Sequence, residues 1–184
     1  MLWPDQIRGK IMSYLIINAF LFGIALSLIL TILMGISFQV APDIWLRSYP
    51  PEIKARFGAM TDKAKRLRPY LSIVYIGAIV IPAAYSLIRL QAHLAGKAGL
   101  LEYALSLFIS LMTFNLYDLL ILDWLFFVTL KLRFFILPGT EGMAAYDDYV
   151  FHARAFLRGT LICAAVAIIL AGLAAALLAR QVKL

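Results

Sequence analysis

Three polar side chains, Asn115, Asp118 and Asp123, interrupt a long apolar stretch. Around them the sequence is almost entirely Leu, Ile, Phe, Trp and Tyr, which predicts a membrane-spanning helix. A carboxylate at the bilayer centre costs roughly 2.5 to 3.5 kcal/mol on insertion scales and marks a candidate functional site by default. Its charge must be neutralised by an oppositely charged side chain, by a bound cation or by protonation. On an α-helix Asn115 and Asp118 share a face, whereas Asp123 lies about 140° round from Asp118, so the two acids form no side-by-side pair.

A second polar segment follows this stretch and is expected to reach the same end of the membrane. Its turn sequence, Pro138-Gly139-Thr140-Glu141-Gly142, places Thr140 to cap a helix that runs unbroken from about residue 143 into the last apolar stretch. On such a helix Arg154 and Arg158 lie near the membrane rim, at about the depth of Asp123. We predict an ion pair between Asp123 and one of these arginines.

Three interpretations of the polar residues stay open. The first is a buried ion-pair network that fixes how the third and fourth apolar stretches pack; its members are Asn115, Asp118, Asp123, Glu141, Asp148, His152, Arg154 and Arg158. The second is a metal or proton site made from Asp118, Asp123, Glu141, Asp148 and His152, because carboxylates with a histidine can bind zinc, manganese or iron. The candidate metal ligands are Glu141, Asp148 and His152. The third is a membrane-embedded enzyme or proton-coupled carrier with Asp118, Asp123 and His152 as catalytic acids or bases.

Several enzyme classes are excluded by what the sequence lacks. It contains none of the motifs H-E-x-x-H, E-x-x-H, G-x-S-x-G, G-x-x-x-x-G-K-[ST] or G-x-G-x-x-G. The two histidines, His93 and His152, fall on opposite predicted faces of the membrane, which argues against a bis-histidine haem site. One cysteine, Cys163, permits neither a disulfide nor a thiolate metal site within the chain. We therefore predict no cofactor and leave only a divalent metal open.

The composition is that of a membrane protein. Of the 184 residues, 64% are hydrophobic and 15% are charged, whereas soluble domains are about 45 to 50% apolar and about 25% charged. The mean hydropathy of +0.90 also indicates a membrane protein. These values predict one all-α, polytopic membrane domain, a four-helix bundle, and exclude a soluble catalytic domain of ordinary size. The spans expected from the apolar runs are about Met12 to Phe38, Leu71 to Leu90, Leu101 to Leu130 and Gly159 to Leu178.

The 17 basic residues predict the orientation of the spans. The loop between the first two spans, 41–70, holds seven of them, the segment between the last two holds four, and the opposite face receives six. Because cytoplasmic loops are enriched in Lys and Arg, both larger loops are placed in the cytoplasm and both termini outside. Arg8 and Lys10, at the start of the first span, favour the opposite orientation. The net charge of +7 does not indicate nucleic acid, since the basic residues lie between apolar runs.

The basic loop 41–70 itself allows two interpretations. Residues Glu52-Ile53-Lys54-Ala55-Arg56-Phe57 predict a short amphipathic helix that would lie on anionic headgroups. The alternative is a solvated loop whose charges only set the topology of the chain.

Two spans carry small residues at a spacing of four, which lets helix backbones approach closely in lipid. The first ladder is Ala19, Gly23, Ser27, Thr31 and Gly35, and the second is Ala155, Gly159, Cys163, Ala167, Ala171, Ala175 and Ala179. We predict that the two ladders pack against each other, antiparallel. A homodimer through one ladder is the alternative.

The C-terminal half carries a resemblance. The segments Asn115-Leu116-Tyr117-Asp118, Leu122-Asp123-Trp124, Pro138-Gly139-Thr140-Glu141-Gly142 and Tyr146-Asp147-Asp148-Tyr149-Val150-Phe151-His152 resemble small, uncharacterised bacterial integral membrane proteins with four spans. The likeness covers mainly 115–159. It implies the bacterial cytoplasmic membrane as location and supplies no catalytic residues.

Two functional hypotheses follow from the sequence. The leading one is a non-enzymatic accessory, scaffolding or small oligomeric membrane protein, with membrane lipids, a second copy or a larger membrane complex as partners. The alternative is an enzyme or proton-coupled carrier that uses Asp118 and Asp123 with His152. A water-accessible cavity at Asp118 favours the alternative, whereas enclosure by Asn115 and tyrosine rings favours the scaffold.

Overall fold

The computed structural model describes the backbone of residues 5–181 and the side chains of residues 9–177. The chain is 85% helical, and no strand occurs between residues 5 and 181. Its α-helices are α1 (Asp5–Val40), α2 (Pro51–Phe57), α3 (Asp62–His93), α4 (Leu100–Tyr117) and α5 (Tyr149–Gln181). A π-helix, Asp118–Thr129, continues α4, and 3₁₀ turns cover Pro42–Ser48, Arg133–Phe135 and Ala144–Asp147. The predicted all-α fold is confirmed.

Four of these helical stretches are long and apolar enough to cross a membrane: Gly9–Val40, Asp62–His93, Leu100–Thr129 and Tyr149–Leu177. Each overlaps one predicted span. Many of their large apolar side chains are exposed, among them Ile17, Ile81 and Leu161. Such surfaces are stable only in contact with lipid or with another apolar surface. The chain is therefore a multi-pass membrane protein built from four spanning helices, as predicted.

The predicted start of the last helix is wrong. Residues Ala144–Asp147 form a 3₁₀ turn, and α5 begins only at Tyr149. Asp148 caps α5, because its Oδ1 accepts a hydrogen bond from the backbone N–H of Phe151 at 2.9 Å. Thr140 is buried and does not cap a helix; its hydroxyl bonds the carbonyl oxygen of Leu137 and the hydroxyl of Tyr146 at 2.7 Å each.

The chain divides into two compact units, each of which contains a piece of all four spanning helices. The first unit consists of residues 1–27, 79–115 and 159–184, and the second of residues 28–78 and 116–158. The predicted single domain stays a prediction, and the two units are described separately.

In the first unit, both small-residue ladders meet α4. A Cβ added to Gly23 would lie 2.5 Å from the Cβ of Thr113 and 2.8 Å from the backbone oxygen of Ser110. Ser110 also donates to the carbonyl oxygen of Ala19 at 2.9 Å. A Cβ on Gly159 would collide with the side chain of Asn115. At these positions the predicted pairing of the two ladders with each other is therefore wrong.

The reason for this difference lies in α4. Ser106, Ser110 and Thr113 provide a third set of small side chains, spaced by four and three residues, so α4 accepts close neighbours. On the fourth span, the thiol of Cys163 lies 3.8 Å from the carbonyl oxygen of Leu111. Ala167 and Ala171 are buried as well.

In the second unit, the loops 41–61 and 130–148 fold against each other. Buried apolar side chains of these loops and of the adjoining ends of α1 and the π-helix form what we call the loop core: Phe38, Leu46, Tyr49, Ile53, Phe127, Val128, Phe135, Leu137 and Tyr146. The Tyr49 hydroxyl donates to the carbonyl oxygen of Phe135 at 2.8 Å, and the Tyr146 hydroxyl accepts from the backbone N–H of Leu137 at 3.0 Å. The predicted amphipathic helix in the basic loop is present as α2, and its Ile53 is fully buried.

Replacing Tyr49 by phenylalanine tests the loop core. The variant leaves the Phe135 carbonyl without its donor, and we expect the free energy of unfolding to fall by about 1 to 2 kcal/mol. Tyr70→Phe, at an exposed tyrosine, should change it little. Thermal unfolding of both variants in detergent measures the difference. Equal values for the two would contradict a hydrogen-bonded loop core.

The same variant has an expected pH signature. Burial, together with the neighbouring Tyr146, raises the pKa of Tyr49 above its ordinary value. Because the folded state holds the proton more tightly, this stabilisation is present below the unfolded pKa of about 10 and is lost as pH rises above it. The loss of stability at alkaline pH should therefore be smaller in Tyr49→Phe than in the unmodified protein.

Candidate functional site

A hydrogen-bonded pair of Asp123 and His152 lies where the third span ends and the fourth begins. The Nδ1 of His152 donates to the Oδ1 of Asp123 at 3.0 Å. The side chains are 5% and 23% exposed, respectively. The sequence places both residues among the polar candidates, and the structure joins them directly.

The pair is positioned by the start of α5. Asp148 caps the helix and thereby fixes the first turn, in which His152 is the fourth residue. Beside it, the indole of Trp124 donates to the carbonyl oxygen of Tyr149 at 3.3 Å, and the two rings lie 5.7 Å apart. The residue that follows Asp123 is thus tied to the first residue of α5.

The predicted ion pair between Asp123 and an arginine is wrong. Arg154 and Arg158 are exposed, and neither lies within ion-pair distance of Asp123. On an α-helix they are about 200° and 240° round from His152, so they point away from the side of α5 that meets Asp123. His152, on the side of α5 that meets Asp123, pairs with this carboxylate instead.

The second nitrogen of His152 is buried without a partner. Among the side chains of residues 9–177, only Ser106 Oγ and His152 Nε2 are buried polar atoms with no hydrogen bond. The imidazole is surrounded by aromatic rings: its centre is 4.9 Å from that of Phe127 and 5.2 Å from that of Phe151. A neutral histidine that donates from Nδ1 keeps a lone pair on Nε2, which suits a general base or a metal ligand. In this structure Nε2 is buried, in an imidazole flanked by the rings of Phe127 and Phe151.

Asp118 belongs to the same helical stretch, and the π-helix changes its relation to Asp123. In a π-helix hydrogen bonds join residues five apart, as at the end of this one, where Leu130 donates to the carbonyl oxygen of Leu125 at 2.8 Å. Residues five apart therefore lie nearly above one another, and Asp118 and Asp123 interact electrostatically. The predicted angle of about 140° assumed an α-helix and does not apply to this stretch; the prediction that the two acids form no side-by-side pair stays a prediction.

The surroundings of Asp118 differ from those of Asp123. Its carboxyl group forms no hydrogen bond or ion pair with another residue in the range 9–177, although it interacts electrostatically with Tyr75. Asn115, predicted to share its face, belongs to the first unit. There the amide of Asn115 donates to the Thr160 hydroxyl at 3.2 Å.

The three candidate metal ligands are placed apart. Glu141 is exposed and accepts from the backbone N–H of Gly139 at 3.1 Å; this bond and its own backbone N–H lower the pKa of the carboxyl group. Asp148 caps α5, and His152 is paired with Asp123. In the part of the chain that the structure describes, no three His, Cys, Asp or Glu side chains are grouped so as to hold a metal ion.

Sequence reasoning missed the aromatic side chains that enclose the pair. Phe127 contacts His152 and also packs against Tyr49 and Tyr146, with ring centres 5.3 and 5.4 Å apart. The available signal was the density of aromatic residues in both loops.

Comparison of the chain with family models, curated proteins and solved structures gives no match.

Proposed function

We propose that this chain is a non-enzymatic membrane protein that acts as an accessory or scaffolding subunit, or as a small oligomer, in the bacterial cytoplasmic membrane. The distribution of basic residues supports an orientation with both larger loops in the cytoplasm and both termini outside. Membrane lipids and a second copy or a larger membrane complex are the proposed partners.

One observation carries the scaffold proposal: His152 is buried in its pair with Asp123. A general base must come within hydrogen-bond distance of the proton that it removes. The imidazole is 5% exposed, its Nε2 is buried, and the rings of Phe127 and Phe151 lie against it. A buried pair in this position instead ties the end of the third span to the start of the fourth.

The loop core supports the same conclusion. It joins two loops that are far apart in sequence, since Tyr49 and Phe135 are separated by 86 residues. A chain that needed only short connections between its spans would gain nothing from ordering both loops, because each ordered residue costs about 1 to 2 kcal/mol of backbone entropy. A structured loop surface is what a docking subunit requires.

The second candidate, a proton-coupled carrier, is favoured by one specific observation. Asp118 lies within the third span without a hydrogen bond or ion pair to any other described side chain. Intramembrane acids of this kind are the proton-binding groups of many carriers. Asp123, which interacts electrostatically with Asp118, would then be the next group in a proton relay.

Reconstitution separates the two candidates. Vesicles that enclose a pH-sensitive dye should show the same proton permeability with the protein as without it, and Asp118→Asn should change nothing. Native mass spectrometry of the same sample, with metal analysis, reports the number of copies, bound lipid and any metal ion. Proton flux that requires the protein and is abolished by Asp118→Asn would reject the scaffold in favour of the carrier.

A further inference from the structure

Two adjoining cavities lie in the second unit, beside the basic loop and the start of α3. The larger, of about 520 Å³, is lined by Leu46, Arg47, Lys54, Gly58, Met60, Lys65 and Arg68. The other, of about 330 Å³, is lined by Ile44, Trp45, Arg47, Ser48, Arg68, Leu71, Ser72, Tyr75 and Ile76. Both volumes fall in the range of small-molecule sites, about 300 to 1,000 Å³. Because Arg47 and Arg68 line both cavities, the two form one continuous concave surface.

The larger cavity, which we call the cationic cavity, has an excess of positive charge. Four of its seven lining residues are basic, and none is acidic. Lys65 is partly neutralised by Asp62, at 3.1 Å. Arg47, Lys54 and Arg68 form no ion pair with any side chain in the range 9–177. Converging cations without internal partners favour an anion as ligand.

The second cavity, which we call the apolar cavity, is different in character. Trp45 and Tyr75 form part of its wall, with ring centres 5.1 Å apart, and Leu71 and Ile76 line it as well. The indole of Trp45 is held in place by donating to Ser37 Oγ at 2.7 Å. This wall suits a hydrocarbon chain, with Ser72 and Tyr75 as the nearby polar groups.

The two cavities lie across the boundary between polar and apolar sequence on α3. The helix begins with Asp62-Lys63-Ala64-Lys65-Arg66-Leu67-Arg68 and becomes apolar from Leu71. Lys65 and Ile76 are separated by about 16 Å along the helix at 1.5 Å per residue. A ligand that filled both cavities would therefore place its anionic end at headgroup level and its apolar end along the membrane-spanning part of α3.

We infer that the cationic and apolar cavities together bind one glycerophospholipid with an anionic headgroup, its phosphate between Arg47 and Arg68 and an acyl chain against Trp45 and Ile76. Basic recesses beside spanning helices are established sites for anionic lipid headgroups. The shared chemistry is a phosphate group, which free phosphate could also provide. The amphipathic shape of the combined surface selects the lipid.

The test uses the full chain in detergent micelles and counts bound lipids by native mass spectrometry. Phosphatidylglycerol is the probe, phosphatidylcholine the neutral comparison, and inorganic phosphate the competitor. The double variant Arg47→Gln with Arg68→Gln should lower the affinity for phosphatidylglycerol about 25-fold, since each cation near an anionic lipid is worth about fivefold. The matched control, Lys63→Gln with Arg66→Gln, removes the same charge from the same helix region outside both cavities and should lower it about threefold or less.

A second variant separates the lipid from free phosphate and does not depend on the arginines. Ile76→Trp fills the apolar cavity at an exposed position of α3 and leaves every cation in place. It should weaken phosphatidylglycerol binding and leave phosphate binding unchanged. Unchanged lipid binding in this variant, with displacement of the lipid by inorganic phosphate, would identify a free-phosphate site and overturn the inference.

Two further results would also overturn the lipid site. The first is an equal loss of affinity in the two double variants, which would mean that only overall surface charge attracts the lipid. The second is equal binding of phosphatidylglycerol and phosphatidylcholine. The inference is independent of the scaffold proposal, because proton flux and lipid occupancy are measured separately and either result can fail alone.

Discussion

Asp123→Ala is expected to lower the free energy of unfolding of the detergent-solubilised protein by about 1 to 3 kcal/mol, because His152 then has no partner on either nitrogen. The chain offers a matched control. Asp147 pairs with Lys131 at 2.6 Å, but the two side chains are 57% and 44% exposed. Solvent screens such a pair, so Asp147→Ala should cost less than about 1 kcal/mol. Thermal unfolding in the same detergent compares the two variants.

A double variant makes this prediction sharper. Asp123→Leu with His152→Phe replaces both polar partners by apolar side chains of similar size, and such replacements are close to neutral when no polar group is left unsatisfied. The double variant should therefore be more stable than Asp123→Ala. If it were as unstable as the single variant, the unpaired imidazole would not be the cause of the loss, and the pair would lose its proposed structural role.

Gly23→Ala is expected to destabilise the first unit by about 1 to 3 kcal/mol, the usual cost of overpacking. The added Cβ would lie 2.8 Å from the backbone oxygen of Ser110 and 2.5 Å from the Cβ of Thr113. Neither atom is at the end of a flexible side chain, so relief requires α1 and α4 to separate. Thermal unfolding in detergent measures the effect, and we expect a lower midpoint than in the unmodified protein.

Gly172→Ala is the control for this substitution. It makes the same change in another spanning helix, where a new Cβ would meet no heavy atom within 4 Å. Because alanine is the better helix former by up to about 1 kcal/mol, this variant should be neutral or slightly more stable. A Gly23→Ala protein as stable as Gly172→Ala would contradict the close approach of α1 and α4.

The spans were predictable from sequence because hydrophobic length in a bilayer is a strong constraint. A run of about 20 apolar residues has few structural options other than a spanning helix. The extra turns that α3 and α5 add, from Asp62 and from Tyr149, contain charged residues such as Lys65 and Arg154, which interrupt the apolar runs. The predicted spans therefore begin later in the sequence than the helices that contain them.

The partners of the small-residue ladders could not be predicted, because a ladder shows only that a helix can be approached closely. Which helix approaches it depends on matching surfaces. The serines of α4 form a suitable surface. Their spacing in the sequence was not recognised as a further set of small residues, in a span that also carries two acids. The site was predicted only in part. Asp123 and His152 were included in one polar cluster, but their direct pairing was not predicted.

The relation between Asp118 and Asp123 depended on one structural detail that spacing arguments do not contain. Measuring angles along an α-helix separated Asp118 from Asp123, but this stretch is a π-helix, in which residues five apart are aligned. Long π-helices are rare, and apolar sequence gives little sign of them. The change in helix type therefore reduces the angle between Asp118 and Asp123 around the helix axis.

The contact between Tyr49 and Phe135 has a consequence for biosynthesis. When the first loop leaves the ribosome, its hydrogen-bond acceptor has not been made, since it lies 86 residues later. At about 5 to 20 residues per second, the wait is on the order of 4 to 17 s. During that interval the first two spans can already be inserted while their connecting segment remains unfinished and open to chaperones and proteases. The loop core can therefore be completed only after the segment that contains Phe135 has been synthesised.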